Sequence, residues 1–214
     1  MAGRFLGEVL PNGERVGCFN SGLVTFHADV LAGTARRGVV NLDGVVDARA
    51  FAALRAGRLG AWLDDQRIRF VVDNPVQFSH DLQLDHACGR WFAPDFAAER
   101  DLVEVARFDV PGIGHGRGGA DDFRLYWRRG RGAPPERPAV AKDLGRAPRG
   151  GRYVLWPATP GAALEVEQPS GERRTLVRAE VATSWLLAVP ATDLGTGRLF
   201  EAGATAPILV LAKL

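Results

Sequence analysis

Six polar residues stand where three short apolar runs end, and their types define the chemistry open to them. Asn20 and Ser21 close R-V-G-C-F-N-S-G, Asn41 and Asp43 close R-G-V-V-N-L-D-G, and Asp73 and Asn74 close I-R-F-V-V-D-N-P. Carboxylates, carboxamides and a hydroxyl gathered in one place can bind an array of sugar hydroxyls. Hard divalent cations take the same oxygen ligands. As a pair, Asp43 and Asp73 can also serve as general acid and base or as metal ligands. The commoner role for Asp-Gly and Asp-Asn-Pro is local, because a short carboxylate accepts from the backbone just after it and so forms a turn.

Other constellations are weaker. His80, Asp85, His86 and Cys88 in S-H-D-L-Q-L-D-H-A-C, with His115 as a distant fourth, have zinc-binding side chains. Their spacing matches no established zinc pattern, and no metal is expected. Gly114, Gly116 and Gly119 in G-H-G-R-G-G have the letters of a dinucleotide fingerprint. The next residues, A-D-D-F-R-L-Y-W, read as a strand rather than the required helix, so no cofactor is expected. Nucleophile elbow, zinc-protease and P-loop motifs are absent. Ser21 lacks an evident base beyond the neighbouring His27, and no catalytic residue is assigned.

The elements that must position the six residues can be read from pattern. Residues 15–20, 38–42 and 68–72 are short, apolar and bounded by turn signals, as strands buried on both faces are. A helix is expected after Gly22. A second is expected from Ala48 to about Gln66, capped by Asp47 and carrying Phe51, Leu54, Leu59, Trp62 and Leu63 on one face. Crossovers of this length imply parallel strands, and ligands in such sheets sit beyond the carboxyl ends of the strands. Residues 102–110 and 121–129 read as an antiparallel hairpin around the glycine-rich loop. Residues 131–151 are rich in Pro, Gly and Arg and read as a linker. From 152 to 214, short runs alternate with turn signals about every ten residues, as in a small all-β sandwich or barrel. The expected fold is therefore α/β: a small three-layer domain over 1–130 with parallel strands plus an antiparallel hairpin, then a small all-β sandwich-like domain over 152–214.

Composition narrows the class. With 46% hydrophobic and 24% charged residues the chain is globular rather than disordered. A net charge of +2, from 27 basic against 25 acidic residues, gives no electrostatic case for nucleic acid. Lys142 and Lys213 are the only lysines. The arginine-rich balance reads as coding-sequence composition rather than phosphate recognition. The cluster Arg128, Arg129 and Arg131 ends an expected strand with no aromatic ladder beside it. Cys18 and Cys88 make no disulfide framework, and sequence leaves their pairing and the redox compartment open. No apolar run reaches the roughly 18 residues of a membrane helix. The N-terminal apolar stretch is too short for a signal peptide and carries Glu8.

The segments V-G-C-F-N-S-G-L-V-T-F, R-R-G-V-V-N-L-D-G-V-V-D, A-L-R-A-G-R-L and I-R-F-V-V-D-N-P, spanning residues 11–74, resemble a known family. They are similar to the soluble C-terminal region of bacterial polytopic membrane glycosyltransferase-like proteins of the GT-C type, akin to the lipid-linked-sugar-dependent mannosyltransferases. The resemblance implies an extracytoplasmic location. It also implies a non-catalytic accessory role contacting glycan, lipid-linked sugar or a partner such as the membrane-embedded portion, because catalysis in that family is attributed to acidic residues between membrane helices. Asn20, Asn41 and Asp43 match its marker without a catalytic role attached. Two alternatives stand beside this reading. One is an independent sugar- or nucleotide-processing enzyme using carboxylates at the same strand ends. The other is a protein-interaction module, favoured by an exposed apolar patch on Trp156 or Trp185.

Overall fold

Strands dominate the chain, in mixed sheets, and its α-helices fall among residues 48–101 of those described. The computed structural model describes residues 10, 14–19, 38–42, 47–78, 95–109, 123–136, 138–147, 151–180 and 182–211. The expected helix after Gly22 and the loop at 110–122 lie outside them. The chain divides into two units: Met1–Val105 with Gly114–Glu136, and Ala106–Ile113 with Arg137–Leu214. No helix among the described residues is long and apolar enough to cross a membrane.

In the first unit, β1 (Val16–Cys18), β2 (Val39–Asn41) and β3 (Phe70–Asp73) run parallel, with β1 in the middle. Val16 lies opposite both Val39 and Phe70. Gly17 lets the sheet close on its neighbour, since a Cβ there would lie 2.7 Å from Leu42 Cδ1. β3 pairs antiparallel with β5 (Phe123–Arg128), and β4 (Leu102–Asp109) neighbours β5. The order β2-β1-β3 makes the β1/β3 boundary the point where successive connections diverge, the place where open α/β sheets form a crevice.

The single long helix expected over 48–66 is two. Helix α1 (Ala48–Arg55) starts at Asp47, whose carboxylate accepts from the Arg49 N–H at 2.9 Å. It ends in a Schellman motif: the Gly57 N–H donates to Leu54 O and the Arg58 N–H to Ala53 O, with Gly57 at φ 62°. Helix α2 (Leu59–Asp65) has no side-chain cap of its own. Asp95 supplies one from a distance, accepting from the Gly60 and Ala61 N–H groups at 3.0 and 2.9 Å. Gly60 therefore serves close approach to Asp95, since a Cβ there would sit 2.8 Å from Asp95 O. Leu54, Leu59 and Leu63 of the two helices pack with Ile68, Val71 and Phe78 in one core. Phe78 meets Phe19 and Tyr126 edge-to-face, at 6.0 and 5.2 Å between centroids. A four-residue turn of helix, α3 (Ala98–Asp101), leads into β4.

The second unit contains two sheets. In one, β10 (Thr183–Val189) pairs antiparallel with β7 (Arg152–Ala158) and parallel with residues 106–109 of β4, and β6 (Lys142–Arg146) edges β7. In the other, β8 (Ala163–Glu167) lies between β9 (Arg173–Arg178) and β11 (Arg198–Glu201), with β12 (Leu209–Val210) outermost. Val154, Trp156 and Leu187 from the first sheet and Leu164, Val166 and Leu199 from the second share one core. β6 falls within the stretch expected to be linker. Its polar sequence K-D-L-G-R and the register shift at Asp143/Gly145, with Gly145 at φ 98°, suit an edge strand and hide it from pattern reading.

Candidate functional site

The carboxyl ends of β1 and β3 meet at Asp73. Its carboxylate is fully buried: Oδ2 accepts from the Phe19 N–H at 2.6 Å and lies 3.4 Å from Cys18 Sγ, while Oδ1 accepts from the Asn74 N–H at 2.9 Å. The parallel register places Phe19, one residue past β1, level with Asp73 at the end of β3. The side chain thus joins two strand ends where their backbone ladder stops. Charge-assisted bonds of this kind contribute roughly 1.5–3 kcal/mol each, and unmade they leave a buried donor at comparable cost. Asn74 continues the turn, its carbonyl accepting from the Gln77 N–H at 3.0 Å over the 3-10 segment Pro75–Phe78.

Of the other sequence candidates, Asn41 ends β2 opposite Cys18, half-buried, and Asn74 is half-buried beside Asp73. Asn20, Ser21 and Asp43 lie outside the described residues, as do His80, Asp85, His86, Cys88 and His115. The structure brings Asp73, Asn74 and the end of β1 together and places Asn41 one strand away. Among the described residues no three His, Cys, Asp or Glu side chains group as metal ligands.

The opposite rim of the same sheet is different in charge and shape. An open groove of about 670 Å³ is lined by Glu14, Arg15, Asp64, residues 67–69 and residues 130–132. The topology explains its composition. Parallel β1 and β3 start side by side, and antiparallel β5 ends where β3 starts. Residues scattered over the sequence therefore share one edge.

Beneath it lies Arg128, 4% exposed at the end of β5. Its Nη1 donates to Ile68 O at 2.8 Å, its Nη2 to Gly60 O at 3.1 Å, and Nη1 lies 2.9 Å from Asp64 Oδ1. Its Nε has no hydrogen-bond partner among the described residues. Burial pushes the guanidinium below the usual arginine range. Arg131 forks onto Asp64 through two bonds of 2.7 Å. That fork, opposed by desolvation and aided by the charge of Arg128, holds the Asp64 carboxyl below the usual carboxylate range.

Three more arginines line the groove. Arg69 pairs with Glu14, which raises its pKa. Arg15 Nη1 donates to Gln66 O at 2.8 Å and to Gln66 Oε1 at 3.1 Å. Arg67 is exposed, and its guanidinium makes no hydrogen bond or ion pair among the described residues.

No protein-family model, curated protein or solved structure matches the chain.

Arg67 is also the sole non-glycine at positive φ among the described residues, at 56°. It occupies the C′ position of a second Schellman motif: the Arg67 N–H donates to Asp64 O and the Ile68 N–H to Leu63 O, both at 2.9 Å. Helix α1 ends the same way on glycine. An L-residue in that conformation costs about 1 kcal/mol. A cation at a helix C-terminus returns less than this on so short and exposed a helix. Sequence reading misses the feature because nothing after Gln66 signals a left-handed turn. The signal available is R-I-R: two charges flanking one buried apolar residue at a strand's start.

Proposed function

We propose that the chain is a non-catalytic, extracytoplasmic accessory domain of a membrane glycosyltransferase-like system, contacting glycan, lipid-linked sugar or the membrane-embedded partner. In this reading the first unit is a small three-layer α/β domain and the second a small sandwich-like β domain. The resemblance of residues 11–74 supplies the family context. The observation that carries the non-catalytic half is Asp73. A carboxylate sealed at 0% exposure, with both oxygens accepting backbone N–H groups, is placed to hold two strands rather than to exchange protons with a substrate. The enzyme alternative needs that carboxylate at the surface. The interaction-module alternative needs an apolar patch on Trp156 or Trp185, and these are 0% and 8% exposed, paired across β7 and β10.

The test is turnover against stability. Offered nucleotide sugars and polyprenyl-phosphate sugars, the purified chain should release no sugar. Asp73→Asn should lower the melting temperature, because one carboxamide oxygen cannot serve both N–H groups. Sugar release by the wild-type chain that a folded Asp73→Asn variant loses would overturn the reading.

A further inference from the structure

We propose that the groove at the amino rim of the parallel sheet binds a phosphate ester, with Arg67 and the unbonded edge of Arg15 as its ligands. This site lies at the opposite end of β1 and β3 from Asp73 and does not depend on the accessory-domain reading.

Four observations converge on it. The groove sets four guanidinium groups against two carboxylates, so positive charge is in excess. The carboxylates are engaged, Glu14 by Arg69 and Asp64 by Arg131 and Arg128, which leaves Arg15 and Arg67 as the lining cations without an acid among the described residues. Arg15 is held in place by its two Nη1 bonds to Gln66, while its Nε and Nη2 make none among the described residues. Arg67 stands in a left-handed conformation at a helix end where glycine would relieve the strain, and such outliers cluster at binding sites.

The turn at 130–132 also borders the groove, and Gly132, at φ 73°, lies against the Arg69 guanidinium.

The chemistry selects phosphate over other anions. A carboxylate presents its two oxygens in one plane, whereas a phosphate ester carries its charge on peripheral oxygens around a tetrahedral centre that two guanidinium groups can approach from different sides. None of the lining residues is aromatic, so recognition would fall on the phosphate rather than on a stacked base. A groove of about 670 Å³ suits one small ligand or one headgroup, not a nucleic-acid strand.

The same phosphate chemistry can come from a soluble ester or from a lipid headgroup, and two probes separate them. Inorganic pyrophosphate is titrated by calorimetry at low ionic strength, and phosphatidylglycerol vesicles are used in co-sedimentation. The full chain is compared with Arg67→Gly, which keeps the turn and removes the guanidinium. The expected result is saturable binding of at least one probe, weakened about tenfold in Arg67→Gly, with a melting temperature no lower than wild type. Pyrophosphate binding shows that a soluble phosphate group is sufficient, and binding of vesicles alone identifies a headgroup. Failure of both probes, or binding that Arg67→Gly leaves unchanged, overturns the proposal.

Discussion

The two rims of the parallel sheet handle charge in opposite ways. At the carboxyl rim one carboxylate, Asp73, is buried and turned onto the backbone of both β1 and β3. At the amino rim one guanidinium, Arg128, does the corresponding internal work on Ile68 O and Gly60 O, while Arg15 and Arg67 remain beside an open groove. A buried ion that closes backbone bonds is structural whatever its sign. The charge left over after such closure is what a ligand can use.

Removing the buried cation strains this contrast most. Arg128→Met should cost about 3 kcal/mol, because two carbonyls lose their donor and Asp64 loses one of its two arginine partners. Differential scanning calorimetry should register that as a melting point lower by roughly 6–12 °C. A loss near zero would mean the network is incidental. Asp73→Asn should cost less, about 2 kcal/mol, since a carboxamide can still accept one of the two N–H groups. A larger loss than for Arg128→Met would reverse the ranking of the two rims.

Arg67→Gly approaches the two rims from the other side. It should stabilise the chain by up to about 1 kcal/mol, read from denaturant midpoints, because glycine enters the left-handed region freely. Destabilisation would mean that the arginine holds its position through contacts in the folded chain.

The smallest effect is electrostatic. The Asp64 carboxyl is held below its ordinary value by Arg131 and Arg128, so the folded state favours its charged form. That contribution is complete above the unfolded value of roughly 4 and is lost as pH falls through the lower folded value. With Asp64 more than a third exposed, solvent screens much of it. Melting curves collected from neutral pH down to below pH ~3 should therefore converge for wild type and Asp64→Asn at the acid end. Parallel curves would remove Asp64 from the groove's charge balance.

Local signals in the sequence locate much of the first unit. The apolar runs at 15–20, 38–42 and 68–72 contain β1, β2 and most of β3, and Asp47 caps α1 where its side chain and position suggest. The turn-forming reading of Asp73 has its counterpart in the Asn74 bond alone, because the Phe19 bond reaches a different strand. What local pattern cannot supply is pairing at long separation. β10 finds its parallel partner in residues 106–109, far back in the chain, and no periodicity announces that. The amino-rim groove is invisible for the same reason: residues 14–15, 64–69 and 130–132 become neighbours only once strand order and direction are known. Arginine abundance compounds the difficulty, because Arg67 looks like any other of a basic-rich composition until its φ angle is seen.

The division of the chain within β4, between Val105 and Ala106, bears on how the protein can be dissected. Cleavage in the proline-rich stretch after Arg131 would look like a natural place to separate two modules. It would instead leave the C-terminal fragment with one side of β10 stripped of its neighbour, an open row of amide and carbonyl groups inviting aggregation. A fragment meant to stay soluble must carry residues 106–109 with it, so circular permutation is a sounder route than simple truncation.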